Sequence, residues 1–504
     1  MSDGRSRSGL TVSRTSLARR GRTGPIEGRS PGARRTTARS VKAVATVGLL
    51  LALVSMSQPG TATLYGAVDL GSLGQYPTWG WDINDGAQIA GVSVTPSGEM
   101  HPFLWEDGVM TDLATDPDVH SGCGLTAPLL NNAGQVSGTI GFGSFCRHAY
   151  LYENGVITDI TPTVNNAWVN DINEVGQVVG WVQSTPQAFL WDGSALVDLT
   201  PPGVFTWEYA SRVYTSEAVA INDVGQVVVN AVLQNGRPAV FLWESGAFTY
   251  IAEGTGRDIN EVGQVAGSKG GQAFLWSAGT LTYLFPDHAA TVTGLNDAGQ
   301  AVGVYNDPDS FSGGVFLWDN GVVSTLPRTV DRHYSTGGIG TSTVLNNAGQ
   351  VVAISFPAGG DSNGVRGLLW DTSSGTVYDL GSIVPTGINE GGQVVANTLG
   401  PVSPAHAFLV EAVTPQEMTG IIIGEVDDLV DAGSLTPGQG TSLQRTIEAA
   451  GVRIAAGNIH AACGLLDAFI AQVGALEKAQ RLTTSEIAPL IDGAKSVRAE
   501  VGCS

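Results

Sequence analysis

One hexapeptide returns eight times along this 504-residue chain: INDGAQ at Ile83, LNNAGQ at Leu130, INEVGQ at Ile172, INDVGQ at Ile221, INEVGQ at Ile259, LNDAGQ at Leu295, LNNAGQ at Leu345 and INEGGQ at Ile388. The steps between them are 47, 42, 49, 38, 36, 50 and 43 residues. A period of that length marks stacked or radially arranged structural repeats, because one short unit cannot bury its apolar face without neighbours. The repeat therefore constrains the architecture more than any other feature.

Each unit carries a second signature after the Gln: Phe103-Leu104-Trp105, Tyr150-Leu151-Tyr152, Phe189-Leu190-Trp191, Phe241-Leu242-Trp243, Phe274-Leu275-Trp276, Phe316-Leu317-Trp318, Leu368-Leu369-Trp370 and Phe408-Leu409-Val410. A tight turn such as Asp107-Gly108, Asn154-Gly155 or Asn320-Gly321 usually follows, then an apolar stretch ending in Asp-Leu, as at Asp112-Leu113, Asp198-Leu199 and Asp379-Leu380. This spacing predicts four short strands per unit. Asn in the hexapeptide suits a side chain that accepts from a backbone N–H two residues on, and Gly supplies the positive φ of a hairpin. Asp82-Ile83-Asn84 and Asp171-Ile172-Asn173 begin like a calcium loop, but the further oxygen ligands and the bidentate Glu are missing. Phe-Leu-Trp alternates side chains between the two faces of a strand, which is what stacked sheets require.

The ends of the array favour a ring. The last unit stops at Phe408-Leu409-Val410 without its Asp-Leu strand, whereas Val68-Asp69-Leu70-Gly71-Ser72-Leu73 precedes the first hexapeptide unpartnered and matches Tyr378-Asp379-Leu380-Gly381-Ser382-Ile383. A strand lent from the N-terminus to the final unit leaves no free edge. The expected fold is mainly β: a closed eight-bladed β-propeller over residues 63–412, followed by a small all-α domain of about four helices over 413–504.

The triplets His101-Pro102-Phe103, His148-Ala149-Tyr150 and His406-Ala407-Phe408, together with the I-N-x-x-G-Q and A-F-L-W blocks, resemble the bacterial extracellular HAF repeats from about Leu64 to Ala412. The resemblance implies a secreted, propeller-like repeat protein and assigns no activity. Ala239-Val240-Phe241 and Arg366-Gly367-Leu368 depart from the triplet, which argues against its being a shared active element.

Residues 1–62 hold 11 of the 25 Lys and Arg and 2 of the 46 Asp and Glu, then an apolar run from Val44 to Met56 and the small residues Gly60-Thr61-Ala62. That pattern reads as a cleaved export signal, too short in its apolar part to span a membrane. Arg34-Arg35 leaves a twin-arginine route open beside the general one, although Thr36, Thr37 and Ala38 replace the apolar positions that follow in such signals. The remainder has 14 bases against 44 acids, a net charge near −30. Such a surface repels nucleic acid and anionic lipid, so neither is an expected partner. No second long apolar run is evident, and a secreted or cell-surface location without a membrane span in the mature chain is expected.

In an exported protein the four cysteines, Cys123, Cys146, Cys463 and Cys503, read as two local bridges, one in the second unit and one in the C-terminal region. Four cysteines formally allow three connectivities. Ligand spacing for a metal is lacking, and no metal or other cofactor is expected.

From about Val413 the periodicity changes. Thr414-Pro415-Gln416-Glu417 and Thr483-Thr484-Ser485-Glu486 have the form of capping boxes, and Ala462, Leu466, Phe469 and Val473 share one helical face. Breaks fall near Gly433-Ser434, Gly457-Asn458 and Arg481, while Pro489 inside the last helix tells against its continuity. The stretch Gly457 to Val473 resembles the FIMAH-type helical module at the C-termini of secreted bacterial proteins, which implies an accessory domain.

Nucleophile-elbow, zincin, phosphate-loop and calcium-loop motifs are absent. Length variation is concentrated in the connections between second and third strands and between units, which open on the same face, where repeat proteins usually bind. The longest unit-to-unit connections carry Asp116, Asp118 and His120; Trp207, Glu208, Tyr209, Arg212 and Tyr214; and Asp331, Arg332, His333 and Tyr334. Aromatics beside acids and an Arg suit recognition of a glycan or a protein. The expected function is non-catalytic binding of an extracellular or envelope component. The alternative is a glycan hydrolase or lyase pairing Asp116 or Asp118 with Glu208 or Asp331 as its two carboxylates.

Overall fold

The computed structural model describes residues 63–122, 124–143, 145–183, 187–204, 216–306, 313–326, 332–335, 345–357, 365–398 and 405–503. Strand pairing produces eight antiparallel sheets of four or five strands in a propeller-like ring, followed by four helices. Blade 1 comprises Gln75–Ile83, Ile89–Val94, Met100–Glu106 and Val109–Asp112 in that order, innermost to outermost. The later blades repeat this meander, with the hexapeptide always joining first strand to second.

Blade 2 departs from the pattern. Its innermost strand is split into Val119–His120 and Leu129–Leu130, both paired to Val136–Phe142. Blade 8 is assembled from both ends of the array: Ile383–Ile388, Val394–Thr398 and Ala407–Val413 are completed by Leu64–Asp69, which runs antiparallel to the last with Leu64 opposite Val413 and Asp69 opposite Phe408. The expected N-terminal strand is thus present, although it starts earlier than the Val68–Leu73 match and ends at Asp69.

Packing follows from the Phe-Leu-Trp alternation. The first residue of the triplet faces the preceding blade and the second the following one, so Leu242 of blade 4 and Phe274 of blade 5 share one apolar cluster, and Leu275 of blade 5 meets Phe316 of blade 6 in the next. Phe103, Phe274 and Phe316 are wholly buried. The second and third strands of each blade are covered on both faces, which is why they read as near-continuous apolar runs, while outermost strands such as Val109–Asp112 alternate with exposed positions. The second strands often carry Gly opposite the ring: a Cβ at Gly303 would lie 2.7 Å from Phe316.

The helices are α1 (Pro415–Asp431), α2 (Pro437–Ala455), α3 (Ile459–Lys478) and α4 (Thr484–Glu500). Thr414 with Glu417 and Thr483 with Glu486 form the two expected capping boxes, and Thr436 with Gln439 forms a third. The buried residues of α3 are Ala462, Leu466, Phe469 and Val473, the expected face. The helix α4 runs on through Pro489. One expectation needs correction: α3, at 20 residues, is a second long apolar segment, enough by length and composition to cross a membrane. Its apolar face instead supplies the core of the helical bundle, and its Cys463 is bridged to Cys503.

Candidate functional site

The hexapeptide turns converge on one end of the central channel. In each, the Asn side chain does more than brace its own turn. Asn296 Oδ1 accepts from Gln300 N at 2.9 Å, and its Nδ2 donates to Gln300 Oε1 at 2.8 Å and to the Asn346 carbonyl of the next blade at 3.1 Å. The partner is therefore the Gln four residues on, not a backbone N–H two residues on as the turn chemistry alone suggested. The inter-blade bond recurs at every step: Asn84 to Asn131, Asn131 to Asn173, Asn173 to Asn222, Asn222 to Asn260, Asn260 to Asn296, Asn346 to Asn389, and Asn389 to the Asn84 carbonyl at 2.9 Å.

A second circuit lies outside the first. The residue after each Asn donates its N–H to the side chain of its counterpart one blade on, as from Glu174 to Asp223, Asp297 to Asn347 and Glu390 to Asp85. Six of these eight positions are carboxylates and two are Asn, all with an acceptor oxygen. The hexapeptide Gly takes positive φ as expected, for example 78° at Gly134. In the first unit the order is reversed, and Ala87 adopts φ 58° instead.

Three further acids stand just before the hexapeptide in alternate blades. Asp82, Asp171 and Asp258 each cap the N–H of the following Ile and that of the equivalent residue in the next blade: Asp171 Oδ1 accepts from Ile172 at 2.9 Å and Oδ2 from Ile221 at 2.9 Å. Burial pushes the Asp82 carboxyl up to about 6 and that of Asp171 up to about 8, with the negative charges of Asp258 and Asp82 adding to the latter. Asp258 is also raised by burial, to about 6, with Arg257 opposing the rise. Glu174, Glu261 and Glu390 lie above their ordinary value, again by partial burial first. A cavity of about 180 Å³ at this mouth is lined by Asp82, Asp85, Asp171, Glu174, Asn132 and Glu390 among others. The arrangement packs acidic groups so that burial and, at Asp171, the charges of Asp258 and Asp82 disfavour their ionised forms. Among the described residues no group of three or more His, Cys, Asp and Glu is placed to hold a metal ion.

The connections expected to bind lie at the opposite end, because an antiparallel meander puts its first-to-second and third-to-fourth turns on one side and the others on the other. Among the described residues, blade-to-blade connections range from Gly254 alone and Ser382 alone to the seven residues 160–166. Asp116 Oδ1 accepts from Asp118 N at 2.9 Å, and His120 Nε2 lies 2.9 Å from the Gly143 carbonyl, so these residues brace the irregular edge of blade 2. Trp207, Glu208, Tyr209, Arg212, Tyr214 and Asp331 lie outside the described residues. Arg332, His333 and Tyr334 were expected in a connection; they fall in the innermost strand of blade 7, Arg332–Ser335. Cys463 and Cys503 are bridged, which is consistent with an oxidising compartment. Cys146 is also disulfide-bonded, while Cys123 lies outside the described residues.

Sequence reasoning noted Asp82 and Asp171 only as the start of an incomplete calcium loop, and it missed Asp258 and the outer circuit of acceptors. The available signal was the third hexapeptide position, which always bears an acceptor although a β-turn does not require one there.

Fold and turn chemistry define the class: a propeller-like ring of eight blades with a helical C-terminal region. No family model matches the chain, and no curated protein matches it. Similar solved structures include a puromycin-hydrolyzing peptidase of Mycobacterium tuberculosis (14% identity, TM-score 0.37, covering 68% of this chain and 59% of that one), so this chain spans only part of the peptidase's length. Others are a gluconolactonase of Xanthomonas campestris (8%, 0.33, 73% and 99%) and the Aleuria aurantia lectin (9%, 0.29, 64% and 100%). The fold assignment rests on the strand pairing itself.

Proposed function

We propose that the chain is a secreted, non-catalytic repeat protein of the HAF type, a closed eight-bladed propeller that binds a glycan or protein of the cell exterior through the face bearing its variable connections, with the FIMAH-like helices as an accessory domain. The observation that carries this reading is the division of labour between the two ends. At the hexapeptide end the hexapeptide turn keeps its length, the other turn varies only from two to four residues, and the repeated polar side chains are engaged by neighbouring blades; at the other end, described connections vary from one residue, Gly254, to the seven of 160–166. Uniform turns with satisfied polar groups serve a rigid scaffold, and variation on one face serves recognition.

A glycan array together with affinity capture from envelope extracts, using the processed chain, tests the proposal. Retention of one ligand class, lost when 205–215 is replaced by a short Gly-Ser link and unaffected by substitutions at Asp85 or Glu390, is expected. A ligand held equally well by the loop-replaced chain would overturn the assignment of the face.

The second reading, a glycan hydrolase or lyase, is favoured by one observation: Asp82 and Asp171 line the same cavity with carboxyls raised to about 6 and about 8. Both carboxylates already accept two N–H groups, which suits a structural role better than proton transfer. Product release from array glycans, abolished by Asp171→Asn, would decide for the enzyme.

A further inference from the structure

The strand that completes blade 8 belongs to two apolar cores at once. Along Leu64–Asp69, Tyr65 turns into the propeller, where it is 4% exposed and meets Tyr378 edge-on at 5.1 Å. Leu64 turns the other way. It is 3% exposed and is packed in the helical cluster with Met418, Ile422 and Leu466. On that same outward side, a Cβ at Gly66 would come within 2.5 Å of Ile421 Cδ1, so α1 lies directly on the strand. Val413, the residue paired with Leu64, also packs against the helical core.

The outermost strand of a blade normally presents one face to water and depends for its hold on a single ladder. Here both faces of the N-terminal strand are covered by different parts of the chain. We propose that the C-terminal helical domain is a clamp on the N-terminal strand, so that docking of the helices and completion of blade 8 form one cooperative unit. This rests on the closed-ring reading above.

A titratable contact lies within the clamp. Glu425 stands one turn beyond Ile421 on α1, and its carboxyl is raised to about 8, by burial first, then by the charges of Asp428 and Asp69. Asp69 itself is 2.7 Å from His406 Nδ1, just before the neighbouring strand Ala407–Val413, and Asp428 feels Asp431, Asp427 and Asp69 in turn. Glu411 on that neighbouring strand is bonded to Gln393. A carboxyl raised above its ordinary 4.5 favours docking below that value, and the contribution is lost as pH climbs through about 8. The clamp therefore loosens in alkali.

Amide hydrogen exchange of the full chain reads this directly, with rates corrected for intrinsic pH dependence. Ile421→Ala should speed exchange of 64–69 by about tenfold or more while blade 5 strands keep wild-type protection. In the wild-type chain a step from pH 6 to pH 9 should deprotect the same segment, and Glu425→Gln should remove that step; these arms serve if the first variant does not fold. Faster exchange confined to the helices, with 64–69 as protected as before, would overturn the clamp. Segment 64–69 unprotected in the wild type at every pH would instead overturn the closed ring.

Discussion

His406 Nδ1 lies 2.7 Å from the Asp69 carboxylate, across 337 positions of sequence. The contact is the eighth-blade version of one made locally elsewhere: His101 with Asp112 at 2.9 Å in blade 1, His148 with Asp159 at 2.7 Å in blade 2, Gln187 with Asp198 in blade 3 and Arg366 with Asp379 in blade 7. It joins the start of a third strand to the Asp of the fourth. The His of one signature and the Asp of the other are thus a single structural pair, and in blade 8 that pair ties the two ends of the array together.

Asp69→Ala should lower unfolding free energy by about 2 kcal/mol, since a partly buried charge-assisted hydrogen bond is lost. It should also expose the N-terminal strand to limited proteolysis, which Asp112→Ala should not do. His406→Gln should be milder than His406→Ala, because Gln187 already makes the equivalent bond with its carboxamide. Equal proteolytic resistance of the Asp69 and Asp112 variants would refute the special role of the eighth-blade pair.

Asn296 is buried, and each of its polar atoms is used. Asn296→Ala should cost about 3 kcal/mol in urea unfolding, through the Gln300 N–H and Oε1 and the Asn346 carbonyl it leaves unpaired. Asn296→Asp should be at least as damaging despite its near-identical shape, because an oxygen would then face two acceptors. An Asp variant as stable as wild type would disprove the direction of the inter-blade bond.

Ala87 sits at φ 58° where the other seven repeats have Gly. A Cβ in that region costs about 1–2 kcal/mol, partly offset by the greater unfolded-state entropy of Gly. Ala87→Gly should raise stability by about 0.5–1 kcal/mol, measured by thermal unfolding. The reverse change, Gly134→Ala, should destabilise by more, because its Cβ would also approach Gln88 Oε1 to 3.1 Å.

Asp171, Asp82 and Asp258 have carboxyls raised from 3.8 to about 8, 6 and 6. Their contribution to stability is complete below the ordinary value and disappears as pH rises through those figures, because the folded channel mouth disfavours the ionised form. The midpoint of thermal unfolding should fall between pH 5 and pH 8.5, and Asp171→Asn should flatten that slope. A midpoint that holds level or climbs over the same interval would contradict the electrostatic account of the channel.

Much of the architecture was legible in the chain. Phe274, Leu275 and most of their counterparts are buried as their alternation implied, with Leu104 and Leu151 partly so, and the Leu64–Asp69 strand completes blade 8 as the missing Asp-Leu segment suggested. The buried face of α3 was readable from Ala462, Leu466, Phe469 and Val473, since helical periodicity is a local property. Less could be said of Arg332, His333 and Tyr334, which resemble a polar connection yet form an innermost strand; nothing local separates a short polar strand from a loop when its partner, Gln350–Pro357, lies well downstream.

By itself the sequence determined the unit, its fourfold strand count and its repetition, because these depend on turn residues and on a two-residue period that acts within a few positions. Only the tertiary structure decided what the polar repeats are for. The bonds from Asn84, Asn173 and Asn260 reach 47, 49 and 36 positions ahead, one full unit each, so they exist only once neighbouring blades have stacked. The same convergence brings Asp82 and Asp171 to one cavity, where burial and mutual repulsion set a chemistry that neither residue has alone.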